Sequence, residues 1–136
     1  MPILDRRAIQ NIAERIAVDA GYTALPVCPI KIAEAHDIPV QAKPGTARGV
    51  SGMLVRIGDQ FGIMYATHIR NDGFRRFSIA HELGHYFLEG HPEAVLLNGV
   101  HESRAGFVTK DRYEREADTF AAALLMPEDL FKAEMR

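Results

Sequence analysis

Residues 74–88 constrain this chain more than any other stretch, because they are apolar enough to be buried and yet carry His81, Glu82 and His85 at their centre. Side chains four apart on an α-helix stand one above the other on one face. His81-Glu82-Leu83-Gly84-His85 therefore aims two imidazoles at a common point, with the Glu82 carboxylate beside them. Ile79, Ala80, Leu83, Gly84, Phe87 and Leu88 enclose the trio in apolar or small residues. Burying three ionisable groups is costly unless something compensates them. A divalent cation does so, whereas two merely packed histidines would not. The expectation is that His81 and His85 ligate the metal and that Glu82 is the base that activates a water near neutral pH.

The rest of the chain reads as a frame for that helix. Asn71 or Asp72 can cap it, and Gly90 and Pro92 end it near Glu89. Residues 5–20 carry Ile9, Ile12, Ala13, Ile16, Ala17 and Ala20 at helical spacing, closed by Gly21. A short helix over 30–36 follows the Pro-bounded LPVCP segment, then a short extended piece around Val40. Residues 49–57 and 61–67 are rich in β-formers, and Gly58-Asp59-Gln60 between them reads as a hairpin turn. Residues 111–126 and 128–135 are predicted helical, with Pro127 between them. Residues 90–109 show no sustained period and are expected to be a long connection that lines or covers a site. The fold class is α+β, a single domain over residues 1–136. In it, a small antiparallel or mixed sheet of about three strands packs on the His81–His85 helix and on a second, ligand-bearing helix.

A catalytic zinc takes three protein ligands and leaves a position open for water. His91 follows His85 by six residues, but the metzincin pattern needs a glycine three residues after the second histidine, and Leu88 stands there. His91 is therefore expected to be solvated beyond the helix end. The other source is Tyr113-Glu114-Arg115-Glu116-Ala117-Asp118. On a helical wheel Glu114 and Asp118 fall inside the apolar arc of Tyr113, Ala117, Phe120, Ala121, Leu124 and Leu125, while Glu116 sits at its edge. Glu114 as ligand, with Asp118 accepting the far N–H of a histidine, gives both carboxylates a reason to be there. Glu116 remains the alternative ligand, with a surface charge ladder as its plain reading.

The totals narrow the function classes. Lys and Arg number 16 against 18 Asp and Glu, so the net charge of −2 offers no general attraction for nucleic acid. The single cysteine, Cys28, excludes an internal disulfide. No apolar run is long enough for a membrane span or a secretory leader, so a cytoplasmic location is expected.

The segments RRFSIAHELGHYFLEGH and YEREADTFAAALLMP, in this order, resemble the ImmA/IrrE family of metallopeptidases over roughly residues 52–127. The resemblance implies a gluzincin-like zinc peptidase domain with His81, His85 and Glu114 as zinc ligands and Glu82 as catalytic base. It also implies a protein substrate, in particular a helix-turn-helix repressor or antitoxin controlling stress, mobile-element or toxin–antitoxin genes. Two rival functions are a zinc-bearing interaction or toxin module that cleaves nothing, and a metal-dependent endoribonuclease built on His81, His85 and His91. Tyr65, Tyr86, Tyr113 and His68 are candidates to stabilise an oxyanion. Residues 61–67 are expected to present a sheet edge to which substrate adds as a strand.

Overall fold

Side-chain caps set the helix starts. In the computed structural model, which describes residues 4–45, 49–68, 70–104 and 111–135, α1 (Arg6–Asp19) begins where Asp5 accepts the Arg7 N–H at 2.8 Å. α3 (Asp72–Phe87) begins where Asn71 accepts from Phe74 N at 2.9 Å. α5 (Arg112–Leu125) begins where Asp111 accepts from Glu114 N at 3.0 Å. Each cap satisfies an N–H that the helix itself leaves orphaned. α2 (Pro29–Ala35) has proline in its first turn, where the missing N–H costs nothing. α6 (Glu128–Glu134) follows Pro127.

The sheet contains β1 (Val40–Lys43), β2 (Gly52–Ile57), β3 (Gln60–Ala66) and β4 (Val100–Ser103), in the order β1-β3-β2-β4. The β2–β3 hairpin closes through a two-residue turn, with Ile57 opposite Gln60 and Gly58 at φ 61°. That left-handed conformation is the one glycine adopts without strain. β1 pairs parallel with β3, and β4 pairs antiparallel with β2.

Leu54 and Ile63 on the inner face of the sheet join Ile79, Ala80 and Leu83 of α3 in one buried cluster. Phe120, Ala121 and Leu124 of α5 and Ile9, Ala13 and Ala17 of α1 extend it. Each large apolar side chain so buried contributes about 1.5–3 kcal/mol, which lets the interior hold ionisable groups as well. α3 and α5 approach closely at Gly84, where a Cβ would stand 3.1 Å from Ala117 Cα and 3.2 Å from Phe120 Cδ1. Among the described residues no helix is long and apolar enough to cross a membrane.

The α+β class and the helix order agree with expectation, and the sheet has one strand more than the sequence suggested. The extra strand lies in the stretch expected to be a connection. Residues 91–103 contain α4 (His91–Val95) and β4 instead. Elements of five and four residues are too short to display a period, and β4 exists only because β2 supplies its hydrogen-bonding partner. Residues 105–109 of that connection lie outside the described residues.

Candidate metal centre

His81 and His85 both lie on the buried face of α3, and their Nε2 atoms converge to 3.2 Å. The close packing of α3 on α5 brings Glu114 to the same point. Its Oε1 lies 3.2 Å from His81 Nε2 and its Oε2 lies 2.8 Å from His85 Nε2. One donor atom from each of the three residues falls within 4.8 Å of the others. Zinc bonds to nitrogen and oxygen ligands are about 2.0–2.2 Å, which places tetrahedral donors roughly 3.3 Å apart. The triad has nearly that spacing, so its donor set fits such an ion.

Glu82 is fully buried, and neither of its carboxylate oxygens has a hydrogen-bond partner among the described residues. Burial raises its pKa, with His81 and the nearby Ser103 hydroxyl pulling the other way. The Ser103 hydroxyl influences Glu82 by proximity, since it completes no hydrogen bond of proper geometry. A buried carboxyl without a partner beside two converging imidazoles is what a water-activating base needs when solvent or metal supplies its partner. Gly52 makes room for it, because a Cβ at that position would lie 3.1 Å from Glu82 Oε2.

The electrostatics mark the same point. Burial lowers the His81 pKa, but hydrogen bonds to the Asp118 and Glu114 carboxylates outweigh it and raise the group to about 9. His85 is lowered to about 4, chiefly by burial. Burial would raise Glu114, yet hydrogen bonds from His101, His81 and His85 hold it well below the usual carboxylate range. Positive charge is therefore already favoured where the three donors meet.

Asp118 lies where the wheel put it, with Oδ1 2.8 Å from His81 Nδ1. Glu116 does not join the candidate triad. It is more deeply buried than the sequence suggested, but it faces away from the histidine pair, with Oε1 2.7 Å from His91 Nε2 and Oε2 accepting from Leu4 N at 3.2 Å. His91 is likewise not solvated. It is fully buried, with Nδ1 3.0 Å from the far nitrogen of His85, so it stands behind that ring and not beside it. No local period signals this burial, because the turn at Gly90, with φ 83°, folds α4 back over α3.

Two further residues escaped the sequence reading. His101 Nε2 lies 3.1 Å from Glu114 Oε2, and its pKa is raised, because that hydrogen bond overcomes burial. Ser103, two residues along β4 and hence on the same face, is the buried hydroxyl beside Glu82. Only an inward-facing alternation of His101 and Ser103 could have signalled them, and four residues are too few to establish it. The aromatic candidates have packing contacts. Tyr86 meets Phe61 edge-on, and Tyr113 lies against His91 beneath the Arg112 guanidinium. β3 is an inner strand between β1 and β2, and its residues 63–66 are covered by β1, so it is not the edge that the sequence suggested. The outer strand nearest the centre is β4.

An α+β domain whose H-E-x-x-H helix meets a glutamate from a second helix over an orphaned buried carboxyl has the architecture of a metallopeptidase. The family model described as the IrrE N-terminal-like domain matches residues 33–136, and the chain belongs to this ImmA/IrrE family of metallopeptidases. No curated protein matches the chain.

Proposed function

We propose that this chain is a zinc-dependent endopeptidase that cleaves a cytoplasmic protein partner, a helix-turn-helix repressor or antitoxin, and thereby switches stress, mobile-element or toxin–antitoxin genes. The convergence of His81 Nε2, His85 Nε2 and Glu114 beside the unpaired Glu82 carboxyl carries this reading. Family membership supports the peptidase chemistry, and the resemblance of the two motifs supports the class of substrate.

His81, His85 and Glu114 would hold the ion. A zinc ion there would polarise the scissile carbonyl and bring the pKa of a ligated water toward neutrality. Glu82 takes the proton of the attacking water as its oxygen adds to the carbonyl carbon, then delivers that proton to the departing amine nitrogen. Asp118 holds the His81 ring through Nδ1, and His101 holds Glu114 through Oε2. The endoribonuclease reading loses its third ligand, because His91 directs Nδ1 at His85 and Nε2 at Glu116.

The test is incubation of the zinc-loaded protein with a small DNA-binding repressor encoded beside it. Wild type should yield discrete fragments, and Glu82→Gln should retain zinc while cleaving about 10²–10⁴-fold more slowly. Cleavage undiminished in Glu82→Gln would rule out this base. Biological activity that survives the substitution would instead favour a binding module.

A further inference from the structure

Among the described residues, Asp118 stands behind His81 and His101 behind Glu114, but behind His85 stands a chain of two. His85 Nδ1 lies 3.0 Å from His91 Nδ1, His91 Nε2 lies 2.7 Å from Glu116 Oε1, and Glu116 Oε2 accepts the Leu4 N–H at 3.2 Å. We propose that His91 and Glu116 are positioning residues that fix the tautomer of His85, so that its Nε2 lone pair faces the metal position. This rests on the reading that His81, His85 and Glu114 hold a metal.

Hydrogen-bond chemistry dictates the direction of the chain. A carboxylate only accepts, so His91 Nε2 must carry a proton for Glu116. A ring that offers its Nε2 lone pair to a metal carries its proton on Nδ1, and His85 turns that nitrogen toward His91. The His91 Nδ1 is therefore a lone pair, and the proton between the two rings belongs to His85 Nδ1. A neutral His85 protonated at Nδ1 has its lone pair on Nε2, 2.8 Å from the Glu114 Oε2 acceptor. Two acceptors at that distance repel one another unless a cation sits beside them. The outer chain thus builds an electrostatic deficit at the metal position and holds the ring in place for it.

The surroundings suit this role. His91 is fully buried between His85 and Tyr113, with the Tyr113 ring edge-on at 5.0 Å, so the imidazole has little room to turn. Arg112 Nε lies 3.9 Å from Glu116 Oε2, so a guanidinium flanks that carboxylate on the side away from His91 Nε2. Glu116 also ties the start of α1 to α5 through Leu4, so the ring behind the ligand is anchored to two elements outside α3.

The decisive variant is His91→Phe, which fills the same space and removes both nitrogens. Zinc affinity, measured by competition with a chromophoric chelator, should fall about 10–100-fold, as it does when outer partners of metal-bound histidines are removed. Glu116→Gln keeps an acceptor oxygen for His91 Nε2 and should lose less than a tenth as much affinity. An affinity unmoved by His91→Phe overturns the proposal, and so does an equal loss in both variants. Nitrogen-15 NMR of the wild-type histidines reads the tautomers directly, whether or not His91→Phe folds. In the zinc form His85 should be protonated at Nδ1 and His91 at Nε2, and the opposite assignment overturns the relay. A wild-type protein that binds no zinc would instead remove the metal reading beneath it.

Discussion

Two regions meet at the candidate centre and were built on different physics. The α3–α5 seam is a pair of long amphipathic helices, and it contributes His81, His85, Glu114 and Asp118. The α4–β4 segment is a wrap of short elements, and it contributes His91, His101 and Ser103. Among the described residues, the seam provides the three side chains that gather as a candidate metal site. The wrap provides atoms that touch the ligands, together with the hydroxyl beside Glu82. Donors to a cation must hold their spacing to within a few tenths of an ångström, and helices locked by packing deliver that. Orientation of those donors is a gentler demand, which a short strand and one turn of helix meet.

If this division is correct, seam and wrap substitutions separate by size of effect. The sharpest contrast lies within α5, where Glu114 and Glu116 are two residues apart and serve different regions. Glu114→Ala should weaken zinc binding by more than about 10³-fold, beyond the range of an outer partner, while leaving the fold intact. Glu116→Ala should lose no more zinc affinity than the roughly 10–100-fold of an outer partner, and should also cost about 2–4 kcal/mol in chemical unfolding, because His91 Nε2–H and Leu4 N–H lose their acceptor. The reverse order would make Glu116 the ligand and dissolve the distinction.

Proton competition gives the next effect. His81 is raised to about 9 in the metal-free protein, so below that pH zinc must displace its proton. The carboxylates stabilise the metal-free fold through charged His81 at pH below its ordinary value near 6.5, and that contribution is lost as pH rises through about 9. Both facts act in one direction. Chelator competition at pH 7, 8 and 9 should show affinity rising by up to about tenfold per unit and flattening above pH 9. A flat profile across that window would mean that His81 is not the ring that gives up a proton.

The smallest effect concerns the seam itself. Gly84→Ala places a Cβ 3.1 Å from Ala117 Cα and 3.3 Å from its carbonyl oxygen, and backbone atoms on a packed helix cannot step aside. Overpacking of this kind costs about 1–3 kcal/mol, which the gain of roughly 1 kcal/mol in helix propensity only partly offsets. Denaturant unfolding should show a net loss of up to about 2 kcal/mol, and zinc affinity should fall with it as Glu114 is pushed away from α3. A stabilising result would show that the seam is looser than its spacing implies.

The same division explains what could be read from the sequence. Sixteen residues of α3 and fourteen of α5 are long enough for the helical period to emerge and for the wheel to place Glu114 and Asp118 inward. Caps at Asp5, Asn71 and Asp111 and the β2–β3 turn are local codes, carried by the residues themselves. His91 was misread because its burial depends on Gly90 turning α4 back over α3, a tertiary event with no local period. Glu116 was undervalued for a related reason: the partner that buries it is His91, together with a backbone amide near the other end of the chain. β4 went unseen because a four-residue strand is defined by β2 alongside it. The same pairing hid the role of His101 and moved the sheet edge away from β3.

The most direct test of the centre is anomalous diffraction at the zinc edge from crystals grown with one equivalent of zinc. The expected result is a single peak about 2.0–2.2 Å from His81 Nε2, His85 Nε2 and a Glu114 oxygen, with Glu82 beyond bonding distance. A peak bonded to Glu116 or His91, or no peak between α3 and α5, would contradict it.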